Sequence, residues 1–231
     1  PIKEETLRAK KEKLWTLPYL CIIFMSTFQA CQMQMVNPLM SKYTSEIGVS
    51  LHIVGMIVGI FSIAALIIRP ISGPIADRFN NRVVASAGAL TMGVATIGYI
   101  IAGTSVPLIF FFRFLHGVSF GVCGTTLMRM ASYFIPASRM GEGMGYFGLG
   151  QVLATAIAPS IGIALAASYG YLVTFVVSAI VVVGVGVLAL FLNMPEAAVR
   201  PLTARPPLTA PPAGETSAGA SVRVKKRFSL S

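Results

Sequence analysis

Arg113 is a cation about seven residues inside an apolar run that opens at Val106. A charge in hydrocarbon is costly, and such side chains face a cavity, a partner or an ion path. In Arg113-Phe-Leu-His-Gly117-Val-Ser-Phe-Gly121 the Arg and both glycines recur every four residues, so they share one helix face. The glycines permit a neighbouring helix to approach closely, and Arg113 projects into the space beside that contact. The plainer alternative is snorkelling towards an interface. Gly117-Val-Ser119-Phe-Gly121 also spells G-x-S-x-G, the pattern of an acyl-transfer nucleophile. That chemistry needs a strand–turn–helix setting with a His and an acid as partners. His116 points roughly 100° away around the helix, and the other histidine, His52, lies at the far end of another span. Intramembrane serine hydrolysis is therefore a remote alternative, and no catalytic residue is assigned.

Uncharged polarity is concentrated in the first span. Gln29 and Gln32 are i,i+3 neighbours on one face, followed by Asn37-Pro38. Buried amides need partners, so they either bond across helices or line a polar cavity. Met25, Cys31, Met33 and Met35 surround them and suit either helix packing or an adaptable, weakly selective surface. A second cluster, Gly73-Pro-Ile-Ala-Asp77-Arg78-Phe-Asn80-Asn81-Arg82, holds the only Asp of the chain between apolar runs. An acid with two Arg in a tight link can bind helix ends and other charges; at the least it is a basic loop. Cys21, Cys31 and Cys123 lie inside apolar runs with no CxxC pair or Cys/His cluster, so neither a disulfide framework nor a metal site is expected.

Spanning helices must carry these groups. Of 231 residues, 55% are hydrophobic and 11% charged, with a mean hydropathy of +0.77. Soluble domains carry about 25% charged residues. Six runs reach the roughly 20 residues a bilayer core requires: 14–40, 51–73, 83–102, 106–128, 143–167 and 171–192. The first is too long for a signal peptide and lacks a small-residue cleavage site. The net charge of +10 forms no compact patch, so nucleic acid is not the expected partner. Lys and Arg instead collect at 1–13, 69–82, 129–139 and 200–227, with only Lys42 in the alternate links. The positive-inside rule then places both termini in the cytoplasm of a multi-pass plasma-membrane protein. The expected class is an all-α integral membrane bundle spanning 14–193, between a basic segment (1–13) and a Pro-rich, then basic, linker (194–231).

These features together resemble the N-terminal half of a major facilitator superfamily transporter of the drug/proton antiporter kind. The family's loop pattern G-x-x-x-D-R-x-G-x-R-[RK] is approached by Gly73, Asp77, Arg78 and Arg82, with Asn80 where the pattern has Gly. Asn tolerates a left-handed backbone better than most residues, which makes the departure mild. The fourth-helix pattern R-x-x-x-G-x-x-x-G is matched by Arg113, Gly117 and Gly121. The helix-five antiporter pattern is met loosely by Gly145, Ala154, Ala158, Pro159, Gly162 and Ile163, with Ala twice for Gly and the last Gly lost.

The resemblance implies a six-helix bundle facing a second one, with substrate between them at the midplane and access alternating by rocking. Asp77 would act as a cytoplasmic gate with Arg129 as its partner. Arg113, with Gln29, Gln32 and Asn37, would belong to the coupling or substrate cavity. No cofactor is implied, and the coupling ion would be a proton, although helix one lacks the acid that drug/proton exchangers often carry. Expected partners are membrane lipid, a small-molecule substrate of amphipathic character, and a second six-helix half. That half is either missing from a fragment or supplied by a homodimer. The other alternative is a truncated six-span remnant with no transport activity or with a regulatory role.

Overall fold

The computed structural model describes residues 13–194; the basic N-terminal segment up to residue 12 and nearly all of the linker lie outside the described residues. Four helices come first: α1 (Leu17–Glu46), α2 (Leu51–Arg78), α3 (Asn81–Ala102) and α4 (Val106–Ser132). A short 3-10 turn (Ala137–Arg139) then leads into α5 (Met140–Phe191). All five helices are long and apolar enough to cross a membrane, and no strand occurs among the described residues.

The last two expected spans share one element. α5 has 52 residues, which as a straight helix would reach about 78 Å, more than twice a bilayer core. It is not straight: Gly170, at φ 82° and ψ 168°, is non-helical, and two helical stretches meet there across a kink. That backbone region is essentially closed to side-chain-bearing residues. The break falls inside the uncharged link 168–170 marked in the sequence.

The expected tight link between the second and third spans is mostly helix. α2 continues through Pro70, Gly73 and Pro74 to Arg78, so Asp77 occupies its last turn and only Phe79 and Asn80 connect to α3. Proline deletes a helical hydrogen bond, but neighbouring helices can hold such a helix together. Ser72 and Ala76 are buried against the bundle, and Ser72 Oγ donates to the Arg69 carbonyl at 2.8 Å. Nor is Asn80 left-handed. At φ −65°, ψ 120° it is the N-cap of α3, its Oδ1 accepting from the Arg82 amide at 3.0 Å. A side-chain acceptor at this position explains an Asn here better than backbone freedom does.

α1 packs mainly along α5 and α2 along α4, while α3 contacts both α4 and α5. Two apolar clusters result. One, around Ile22, Met25, Met92, Leu127 and Val182, is on the side of Asp77; the other, around Leu39, Ile57, Tyr99, Ile109 and Phe175, is on the side of Gly48 and Gly103. Between the clusters lies the polar layer in which the candidate functional residues sit.

Candidate functional site

Close helix contact positions Arg113. A Cβ on Gly117 would lie 2.4 Å from the Phe61 carbonyl oxygen, and one on Gly121 would lie 2.3 Å from Ile68 Cγ2. The two glycines thus let α4 press directly on α2. Arg113, one turn earlier on this face, is wholly buried and not snorkelling. Its Nε donates to the Ile57 carbonyl at 3.3 Å, one Nη to Asn37 Oδ1 at 3.0 Å, and the guanidinium lies 5.0 Å from the Phe61 ring centroid. The other Nη has no hydrogen-bond partner. Neutral acceptors and a ring face thus surround the guanidinium, with no acid paired to it among the described residues.

His116 and Gln32, both fully buried, continue this layer. The Tyr99 hydroxyl is 2.8 Å from His116 Nδ1, and His116 Nε2 is 3.2 Å from Gln32 Oε1. Gln32 Nε2 donates to Thr96 Oγ1 at 3.0 Å, and Thr96 donates in turn to the Met92 carbonyl at 2.8 Å. One neutral arrangement satisfies every member: Tyr99 donates to Nδ1, and Nε2–H donates to the amide oxygen. Tyr99 and Thr96 give no sequence signal beyond their positions in apolar runs, and His116 draws notice only as a neighbour of Ser119. Ser119 is tied to its own helix, donating to the Leu115 carbonyl at 2.7 Å, and both nitrogens of His116 are engaged elsewhere. His52 is exposed in the first turn of α2. The nucleophile constellation is therefore not assembled.

At the end of α2, Asp77 forms an ion pair with Arg129 of α4. Arg129 Nε and an Nη also donate to the Tyr133 hydroxyl, each at 3.3 Å. Arg78 is exposed beside the pair, Arg82 is half-buried, and a Cβ on Gly73 would meet open space. The structure thus brings Asp77 and Arg129 together and leaves Gly73 and Arg78 outside their contact.

A cavity of about 380 Å³ opens among α1, α2, α4 and α5. Its polar lining is Ser26 and Gln29 from α1, Arg69 from α2, Thr125 from α4 and Gln151 from α5. Phe120, Met128, Met144 and Phe147 form its apolar wall. Of the residues proposed for a cavity, Gln29 lines it and donates to the Phe120 carbonyl at 3.1 Å. Gln32 and Arg113 are sealed in the layer behind it, and Asn37 serves Arg113. Its methionines are not those flagged in α1, where Met25 and Met35 are core and Met33 Sδ accepts from Asn37 at 3.6 Å. In the sequence Arg69 counts only among the basic residues of the 69–82 link, and Thr125 and Gln151, isolated polar residues in apolar runs, carry no spacing that marks a site.

Small residues of α5 set its close contact with α1. Gly150, Ala154, Ala158 and Gly162 form an i,i+4 stripe that is buried along α5. Cβ atoms on Gly150 and Gly162 would lie 2.1 Å from Thr27 Oγ1 and 3.0 Å from the Met35 carbonyl oxygen, both on α1. Gly145 is off the stripe with open space around it, and Pro159 is half-buried.

Comparison with known proteins agrees with this architecture. The family model for the Major Facilitator Superfamily matches residues 22–229. An uncharacterized MFS-type transporter, YuxJ of Bacillus subtilis, is 26% identical over 71% of this chain and 43% of its own length. Probable anion transporter 4, chloroplastic, of Oryza sativa subsp. japonica is 29% identical over 64% of this chain and 26% of its own. The multi-drug resistance efflux pump PmrA of Streptococcus pneumoniae is 26% identical over 61% and 36%, respectively. The chain thus spans less than half the length of these relatives. Apolar spanning helices, a match across most of the sequence and transporter relatives lead to one placement: the chain belongs to the Major Facilitator Superfamily, a family of membrane transporters and not of enzymes.

Proposed function

We propose that this chain forms one six-helix half of an alternating-access transporter that moves small amphipathic compounds, with proton-coupled efflux as its mode. The kink at Gly170 separates the fifth crossing from the sixth, and both termini face the cytoplasm. The second half is a further six-helix bundle, either continuous with this chain or a second copy of it. Substrate occupies the cavity between Gln29 and Gln151, and the Asp77–Arg129 pair, held within this half, closes the cytoplasmic end against the facing half, a contact that breaks as the two halves rock apart. Arg113 and the Tyr99–His116–Gln32 chain form the coupling layer behind the substrate.

One observation carries this reading. The cavity and the ion pair lie on the same two helices, with Arg69 two turns before Asp77 on α2 and Met128 next to Arg129 on α4. A substrate-dependent movement of this half against the facing one would therefore reach both the cavity and the pair through these helices. Relatives described as an anion transporter and as a multi-drug efflux pump support transport of small solutes, without agreeing on one.

The test is transport in proteoliposomes loaded with a pH-sensitive dye, using benzenesulfonate and benzyltrimethylammonium as probe solutes. Asp77→Asn is expected to cut solute-dependent proton movement about tenfold, the size of a lost charge-assisted contact, with membrane insertion unchanged. Wild-type rates in that variant reject the gate.

A further inference from the structure

The proposed cavity has an asymmetric chemistry that bears on what it accepts. Its described lining includes one charged side chain, Arg69, and no carboxylate. Among the described residues Arg69 forms no ion pair: the acids there pair with Arg129, Arg139 and Lys42. The guanidinium is exposed at the cavity with up to five N–H donors uncommitted to an acid. Around it the polar groups are amides and hydroxyls, of which Gln151 Nε2 donates to Ser26 Oγ at 3.2 Å. Gly124 leaves room beside Gln29, since a Cβ there would reach only 3.6 Å from the amide nitrogen. The apolar lining is aromatic and thioether, Phe120 and Phe147 with Met128 and Met144.

We infer that the cavity binds small organic anions with an apolar body, the acid group on Arg69 and the body against the Phe–Met wall. The inference rests on the cavity being the substrate site and narrows the substrate class from amphipathic compounds to anionic ones. A forked guanidinium pairs with a planar or trigonal oxyanion through two parallel hydrogen bonds, and a cation in the same place would meet repulsion with no acid to offset it. The apolar wall supplies area but does not discriminate charge. Selectivity for sign therefore resides in Arg69.

Three probes share one ring and differ in charge: benzenesulfonate, benzenesulfonamide and benzyltrimethylammonium. Equilibrium binding of each to the purified chain in lipid nanodiscs measures the preference without requiring transport. Benzenesulfonate is expected to bind about tenfold more tightly than the neutral amide, and the cation more weakly still. Arg69→Gln is expected to bring sulfonate and sulfonamide to within about twofold of each other. Arg69→Glu is expected to reverse the order and favour the cation, a gain that an unfolded protein would not show. Equal binding of the three probes to the wild type, no sulfonate binding at millimolar concentration, or an unchanged order in Arg69→Glu overturns the inference. Sulfonate binding that depends on Arg69, with no movement of any probe across vesicles, keeps the inference and removes the transport reading instead.

Discussion

Two arginines of the bundle, Arg113 and Arg69, occupy opposite kinds of environment. Arg113 is fully buried, held by the Ile57 carbonyl, Asn37 and the Phe61 ring, next to a closed chain of neutral hydrogen bonds. Arg69 is exposed at a cavity with no acid against it among the described residues. Depth in the sequence favours Arg113 as the residue that meets a ligand and makes Arg69 a border charge; in the structure Arg113 is enclosed and Arg69 lines the cavity. A group that is completely enclosed acts by holding helices α1, α2 and α4 in register, and it changes a ligand's binding only through them. A group in an open cavity can touch a solute without any helix moving.

The contrast can be broken first at Arg113. Arg113→Ala would empty a packed site and orphan the Asn37 oxygen, costing roughly 2–3 kcal/mol and lowering the melting temperature of the solubilised chain by about 4–12 °C. Arg113→Lys should recover part of this, because an ammonium reaches one acceptor but does not bridge two. Melting curves identical to wild type for the Ala variant would show that Arg113 does not brace the layer. A smaller effect is expected at Gln32, whose replacement by Leu leaves His116 Nε2 and Thr96 each short of a partner. The cost is about 1–2 kcal/mol, read by the same melting assay, and an unchanged curve would mean that the network closes without Gln32. The smallest belongs to Arg69→Ala, an exposed side chain whose removal should shift stability by less than about 0.5 kcal/mol while altering which probes bind. If Arg69→Ala melts as early as Arg113→Ala, the division between brace and binding residue fails.

Glycine spacing was readable in α4 because an i,i+4 repeat is a property of one helix. Gly117 and Gly121 mark the close approach to α2. In α5 the loose match captured Ala154, Ala158 and Gly162 but began at Gly145, off the face, and passed over Gly150, which lies against Thr27. The partner helix decides which of several small residues is covered. The helical end of α2 was also misjudged. The run is expected to stop at 73, yet neighbouring helices carry the chain on through Pro74, and Asp77 becomes a helical residue facing Arg129.

Length, apolar content and the alternation of basic links depend on nothing beyond the chain, so they are enough to establish an all-helical membrane bundle and to single out Arg113, Asp77 and the paired glutamines. Side chains distant in the sequence required the assembled bundle. His116 meets Tyr99 and Gln32 through three different helices, and the cavity takes one polar residue or more from each of four. Helical periodicity states which residues share a face of one helix; which faces meet, and which are left open to a solute, follows from how all the helices pack at once.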